Sequence, residues 1–266
     1  MNILDRIIQS KRREVEALRL AGYYRAVGTM EPAEYMPSMV ATLRKSPEGI
    51  IAEFKRRSPS RGLINPVADV ELTVGGYARE GAAACSVLTD TPFFGGSVTD
   101  LVRARRVARE YTLPLLRKEF IVSCEQIAEA RVLGASAVLL IASVLTGDEL
   151  SDFAAYARSL GLETLVEIHS PEELDKVAVC DADMVGVNSR NLADMSTDVS
   201  HALRLGREVA SRCPDTLLVA ESGITSIADV ERLRSCGYSG FLVGERFMRE
   251  EDPAHALHEF LNDISK

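Results

Sequence analysis

From residue 49 onward, short apolar runs rich in β-branched residues alternate with longer stretches whose apolar positions recur at helical spacing. The short runs cover 49–55, 84–89, 113–118, 136–142, 163–167, 183–188, 216–222 and 239–244. They follow one another at roughly 20 to 35 residues, the spacing of successive strand–helix units. Between them, 70–80, 99–110, 124–133, 147–160, 170–177, 198–211 and 226–235 read as amphipathic crossover helices. Gly81, Gly134, Gly161 and Gly237 stand where left-handed caps would end such helices before the next strand. Eight parallel strands covered on both faces most naturally close as a (β/α)8 TIM barrel, and that is the fold the pattern predicts. An open doubly wound sheet is the alternative, but no Gly-x-Gly-x-x-Gly follows the first strand.

Ahead of the barrel, Ile3, Leu4, Ile7, Ile8, Val15 and Leu18 form one apolar stripe on an otherwise charged helix of about four or five turns. The breakers Gly22, Pro32, Pro37 and Pro47 follow, with room for a short helix over 38–44. Residues 1–48 are too few to hold a core of their own. They read as an N-terminal helical extension packed on a catalytic barrel that spans 49–266.

The first strand carries the first chemical signal. Alternation puts Ile51, Glu53 and Lys55 on one face and Ile50, Ala52 and Phe54 on the other. An acid and a base leaving an apolar strand on the same side are costly unless they pair or face a wet pocket. A plain salt bridge at a strand end explains one such pair equally well. Repetition favours the pocket: chemistry in these barrels sits at the carboxyl ends of the strands, and those ends hold Glu53 with Lys55, Thr89 with Asp90, Lys118, Ser143, Glu167, Asn188, Ser222, and Gly244 with Glu245. Arg117 and Lys118 must face opposite ways, so only one of them can enter the barrel mouth. Strands one and three lie about 10 Å apart, which lets Lys55 and Lys118 reach opposite parts of one small substrate. Two lysines in a confined mouth repel while Glu53 favours the charged form of Lys55, which makes Lys118 the freer candidate for proton donation. Glu167 suits a general base, with a solvated strand-end carboxylate as the plainer alternative. Gly223 and Gly244 each follow an apolar strand and precede a helix, an arrangement that offers backbone N–H groups to a phosphate, unless they only allow tight turns.

Composition narrows the partners. A net charge of -8 argues against nucleic acid or an anionic membrane, and no segment reaches membrane-spanning length, so a small anionic metabolite is the expected ligand of a soluble, unprocessed, cytoplasmic chain. The five cysteines are scattered, with no Cys-x-x-Cys, and read as reduced packing residues. His255 and His258 read as surface residues rather than metal ligands, and Arg103, Arg105, Arg106 and Arg109 as the wet face of a helix. His169 could orient Glu167 from two residues away, although an exposed loop position is the stronger expectation.

Several stretches, taken in order, carry a resemblance. They are Glu53-Phe54-Lys55 with Ser58-Pro59-Ser60, Ser86 to Asp90 with Phe93-Phe94-Gly95-Gly96-Ser97, and Leu116-Arg117-Lys118-Glu119-Phe120-Ile121. Leu165-Val166-Glu167-Ile168-His169, Gly186-Val187-Asn188-Ser189-Arg190-Asn191-Leu192, Glu221-Ser222-Gly223-Ile224 and Leu242-Val243-Gly244-Glu245 continue it, and even the opening Ile3 to Ile8 fits. Over nearly its whole length the chain resembles indole-3-glycerol phosphate synthases. The resemblance implies a cofactor-free lyase of tryptophan synthesis. It would convert 1-(2-carboxyphenylamino)-1-deoxyribulose 5-phosphate into indole-3-glycerol phosphate, carbon dioxide and water. By that pattern Lys118 is the general acid at the carbonyl oxygen, Glu167 moves a proton in ring closure or dehydration, and Lys55, oriented by Glu53, binds the negative groups of the substrate and shares the acid role. Asn188 and Arg190 would hold hydroxyls or carboxylate, Ser58, Phe94, Glu221 and Ser222 would contact substrate, and Gly223, Gly244 and Glu245 would surround the phosphate. Glu245 must then turn its own charge away. No metal is implied, and the expected state is a monomer able to contact other enzymes of the pathway. Glu119 in place of an aspartate, Ser189 in place of a second asparagine, and the two glycines of the Phe94 loop depart from the pattern.

Other readings stay open at this stage. A Schiff-base lysine enzyme or the phosphoribosylanthranilate isomerase of the same pathway would share the phosphate site, and a non-catalytic phosphosugar-binding scaffold would bind without turnover.

Overall fold

The computed structural model describes residues 2–31, 35–190 and 198–264. A closed barrel of eight parallel strands forms its centre: β1 (Ile50–Phe54), β2 (Ala84–Leu88), β3 (Leu115–Lys118), β4 (Ala137–Ile141), β5 (Glu163–Ile168), β6 (Met184–Asn188), β7 (Leu217–Glu221) and β8 (Tyr238–Val243). Strands consecutive in sequence are neighbours, and β8 pairs with β1 to close the ring. Each strand falls within two residues of its expected bounds. The crossover helices do too, except that 170–177 splits into a 3-10 turn, Pro171–Glu173, followed by Leu174–Cys180. A last helix, Pro253–Ile264, follows β8 and buries Ala256, Leu257 and Phe260. Gly81, Gly134, Gly161 and Gly237 all take positive φ, between 74° and 95°, as the cap reading required.

Strand alternation divides the core in two. Ile50, Ala52, Phe54, Val87, Leu115, Val138, Val166 and Val185 point outward into the helix layer. Ile51, Leu116, Leu139, Leu165, Met184, Val219 and Leu242 point inward and fill the barrel. At the end of β3 the same alternation sends Arg117 outward, where it is buried and donates to Glu129 at 2.6 Å and to the Gln126 carbonyl at 2.7 Å. Lys118 is left facing the barrel mouth.

The amino ends of the strands are closed by the short helix Met39–Lys45, capped by Ser38, whose Met39 and Leu43 join the inward core. Glu163, the first residue of β5, accepts from the Met39 N–H at 2.6 Å, from the Val40 N–H at 3.1 Å and from the Ser38 hydroxyl. A strand carboxylate thus satisfies the open end of the plugging helix. The N-terminal helix, Ile3–Leu20, starts with a capping box in which Asn2 and Asp5 exchange hydrogen bonds of 2.8 and 3.0 Å. Its buried residues are Ile7, Lys11 and Val15. Lys11 therefore sits inside the stripe that periodicity had described as apolar, because carboxylates from the barrel meet it there. Among the described residues, no helix is long and apolar enough to cross a membrane.

Candidate active site

At the carboxyl ends of the strands lies a cavity of about 580 Å³. Glu53, Lys118, Glu167, Asn188 and Glu221 enter it from strand ends, and Lys55, Ser58, Phe94, Arg190, Ser222, Gly223, Gly244 and Glu245 from the segments that follow. Every residue singled out from the sequence as a candidate for the site lines this one space. Of the other strand-end residues, Thr89, Asp90 and Ser143 do not line it. Asp90 is turned back to cap the short helix Thr91–Phe94, and Thr89 donates to Glu119 at 2.7 Å.

The charged groups are coupled. Lys55 pairs with Glu53, and the Lys118 ammonium lies 3.1 Å from Glu167 Oε2 while also pairing with Glu221. Burial works against that ammonium, but Glu221, Glu167 and Glu53 outweigh it and hold the Lys118 pKa above the ordinary lysine value. The expectation of a freer Lys118 is thereby corrected: lysine–lysine repulsion is weaker than the attraction of carboxylates converging from β5 and β7, and Lys118 is the firmly held ammonium. Burial would also raise Glu167, yet Lys118 and His169 keep it below the usual carboxylate range. Glu221 is pushed above that range by burial and by the like charge of Glu167, despite Lys118. Its Oε1 is buried without a hydrogen-bond partner among the described residues. Gly186 makes room for that oxygen, since a Cβ there would stand 2.1 Å from it. Gly244 does the same for Glu53, whose Oε1 would be 2.5 Å from an added Cβ. His169 is not the exposed loop residue expected. Its ring nitrogens are buried and Nε2 stands 3.5 Å from Glu167 Oε1.

The two sides of the cavity differ in character. Phe94 and Phe120, with ring centroids 5.8 Å apart, form an apolar wall with Leu88, Leu139 and Ile141. The N-terminal helix extends that wall with Ile3, Leu4 and Ile7, a contribution that sequence reasoning missed because the helix precedes the barrel by so many residues. Around the ring from it, after β7 and β8, the cavity is lined by Ser222, Gly223, Thr225, Gly244, Arg246 and Arg249. Ser222 and Gly223 both have positive φ, 65° and 79°, an unusual conformation for serine. The helix that follows β7 does not offer a bare N-terminus, because Asp229 already accepts from the N–H groups and hydroxyls of Thr225 and Ser226. After β8, Gly244 leads into the single turn Glu245–Met248, which has no side-chain cap. The Glu245 carboxylate is turned toward Arg61 at 3.0 Å and Arg190 at 3.7 Å, so its charge is answered by arginines. Asn188 Oδ1 accepts from the Arg190 N–H at 3.0 Å, and the Arg190 guanidinium reaches Ser60 at 3.2 Å. Asn191 and Leu192, part of the same motif, lie outside the described residues.

Comparison with known proteins decides the family. The family model described as indole-3-glycerol phosphate synthase matches residues 4–260. The indole-3-glycerol phosphate synthase of Bacteroides thetaiotaomicron is 42% identical, with 99% of each chain covered. That of Desulfosudis oleivorans is 41% identical, with 98% of each covered. The chain belongs to the indole-3-glycerol phosphate synthase family. It is a decarboxylating lyase of tryptophan synthesis that acts on a phosphorylated small molecule. Among solved structures, a thiamine phosphate pyrophosphorylase from Pyrococcus furiosus superposes with a TM-score of 0.60 at 18% identity, covering 82% of this chain and 96% of that one. A 3-hexulose-6-phosphate synthase gives 0.61 at 15% identity, covering 81% and 99%. At such identities these likenesses concern the barrel alone.

Membership of the synthase family agrees with what the site disfavours. A Schiff-base lysine attacks as a neutral amine, and the carboxylates around Lys118 oppose that form. Isomerase chemistry would need a thiol at the mouth, whereas Cys85 faces the helix layer, where burial pushes its pKa up, and Cys124 starts a crossover helix. Neither sulfur lines the cavity.

Proposed function

We propose that the cavity binds 1-(2-carboxyphenylamino)-1-deoxyribulose 5-phosphate with its aromatic ring on the wall of Phe94 and Phe120 and its phosphate on the main chain of Ser222, Gly223, Gly244 and Glu245. Lys55, oriented by Glu53, meets the substrate carboxylate, and Asn188 with Arg190 holds the sugar hydroxyls. Ser58 and Glu221 complete the contacts. As the ring carbon bearing the carboxylate bonds to the ribulose carbonyl carbon, Lys118 gives its proton to the carbonyl oxygen. Carbon dioxide then leaves. The new hydroxyl takes a proton from the Lys55 ammonium and departs as water, and Glu167, tied to Lys118, takes the proton lost from the five-membered ring.

The observation that carries this reading is the buried Lys118 ammonium held between Glu167 and Glu221 in a cavity with an aromatic wall on one side and Ser222, Gly223 and Gly244 on another. An acid that must be charged before it acts is kept charged by its neighbours. The test is fluorescence of the indole product with this substrate, run with Lys118→Ala and Glu167→Gln. Each variant should lose about two to four orders of magnitude in kcat while still binding substrate. Turnover at the parental rate in either one overturns its role. We also propose that residues 1–48 serve the barrel of 49–266 as an extension of its site. A monomer in the cytoplasm, free to contact other enzymes of tryptophan synthesis, fits the five unpaired thiols, and sedimentation of the purified protein tests the monomer.

A further inference from the structure

Lys11 is 2% exposed, although it belongs to a helix outside the barrel. Its ammonium lies 3.3 Å from Asp90, 3.1 Å from Glu119 and 2.9 Å from Glu14. Asp90 and Glu119 are themselves buried, and each has a second task. Asp90 Oδ1 accepts from the main-chain N–H groups of Phe93 at 2.8 Å and Phe94 at 3.3 Å. Glu119 Oε1 accepts from the N–H of Phe120 at 2.8 Å, and Oε2 accepts from the Thr89 hydroxyl. One lysine therefore joins the carboxylate that sets the backbone of Phe94 to the carboxylate that sets the backbone of Phe120. One turn before it on the same helix, Ile7 touches the cavity those rings line. Stability is a poor reason for such a cluster, because a buried ion network is often no better than apolar residues of the same volume. Geometry is the better reason: a charge cluster admits one arrangement where apolar packing admits several.

We propose that Lys11 is a positioning residue for substrate recognition, clamping Phe94 and Phe120 at the separation that receives the aromatic ring of the substrate. The inference rests on the reading above, that this wall seats the ring. It also explains how Glu119 serves in place of an aspartate: its carboxylate reaches Lys11, Thr89 and the Phe120 N–H together. The rings are held from outside the barrel.

The experiment compares the parent with Lys11→Met, Lys11→Arg and Phe94→Ala, at a temperature where circular dichroism shows each to be folded. Should Lys11→Met fail to fold, Lys11→Met combined with Glu119→Gln, which removes one charge of each sign, takes its place. Lys11→Met is expected to raise KM about tenfold or more with kcat within about twofold, to leave inhibition by inorganic phosphate unchanged, and to be partly rescued by Lys11→Arg. A general loosening of the fold would instead lower kcat and weaken phosphate inhibition together, and that result overturns the proposal. If Phe94→Ala raises KM while Lys11→Met does not, the clamp alone is wrong. If neither changes KM, the ring does not sit on this wall and the underlying reading falls with it.

Discussion

Glu163 and Glu167 leave β5 on the same inward face, four residues and roughly 13 Å apart, and they meet opposite fates. At the floor of the barrel, Glu163 receives two backbone N–H groups and a hydroxyl from the plugging helix. Its charge is answered by three donors of that helix's first turn. At the mouth, Glu167 shares the single Lys118 ammonium with Glu221, one of whose oxygens is left without a partner. Its surroundings are incompletely satisfied, and they open on a cavity. A carboxylate on an inward strand face marks structure where the fold brings it donors, and function where the fold leaves its hydrogen bonding to be finished by a ligand.

The largest separation between the two ends should come from a pair of glycines. An added Cβ at Gly186 would stand 2.1 Å from Glu221 Oε1 and would push that carboxylate off Lys118. Gly186→Ala is expected to lower kcat/KM about a hundredfold, close to 2.7 kcal/mol of transition-state stabilisation, with a modest change in melting temperature. An added Cβ at Gly240, in β8 next to the floor, would stand 2.9 Å from Val219 Cγ2 and 3.4 Å from Leu43 Cδ1. Gly240→Ala should do the reverse, lowering stability by about 1–3 kcal/mol through overpacking and sparing kcat/KM. Steady-state kinetics beside calorimetry reads both. Unchanged kcat/KM in Gly186→Ala would erase the functional half of the comparison.

These two glycines also mark what the sequence could and could not disclose. Periodicity was enough for the strands, because a residue on a buried parallel strand must face either helices or barrel interior, and that choice put Glu53, Lys118 and Glu167 at the mouth in advance. The glycine caps were legible for the same local reason. Gly186 was not, since its role depends on a carboxylate 35 residues later, at the end of the next strand, and neither was Glu163, whose partners belong to a helix more than a hundred residues earlier. Lys11 reads locally as one more charge on a charged helix. Only the packing of that helix on the rim, beside Asp90 and Glu119, gives it buried neighbours.

At the floor, Glu163→Ala removes the acceptor from the Met39 and Val40 N–H groups and from Ser38 at once. Two part-buried N–H donors left without partners, together with loss of a negative charge at a helix N-terminus, should lower stability by about 1–3 kcal/mol. Turnover measured well below the melting transition should stay within about twofold of the parent, because the cavity is at the other end of the strands. A drop in kcat matching the drop in stability would mean that floor and mouth are coupled through β5, and the two carboxylates could no longer be treated as separate cases.

The smallest expected effect concerns the proton of the mouth. Burial and Glu167 hold the Glu221 pKa above its value in the unfolded chain. A carboxyl with a higher pKa in the fold binds its proton more tightly when folded. Its stabilising contribution is therefore complete below the unfolded value of about 4.3 and declines as the pH rises from there toward the folded value. Glu167, with its pKa depressed, has the opposite sense: its contribution is present above the unfolded value and is lost as the pH falls toward the folded one. Glu221→Gln removes the first of these and keeps the second. The melting temperature of the variant relative to the parent should thus rise as the pH climbs above about 4.3, then level off once the parental Glu221 is ionised. A difference that falls with pH over the same range would put the depressed pKa on Glu221 and the raised one on Glu167. The proton would then belong to Glu167, and the base assigned to dehydration would have to change places with its neighbour.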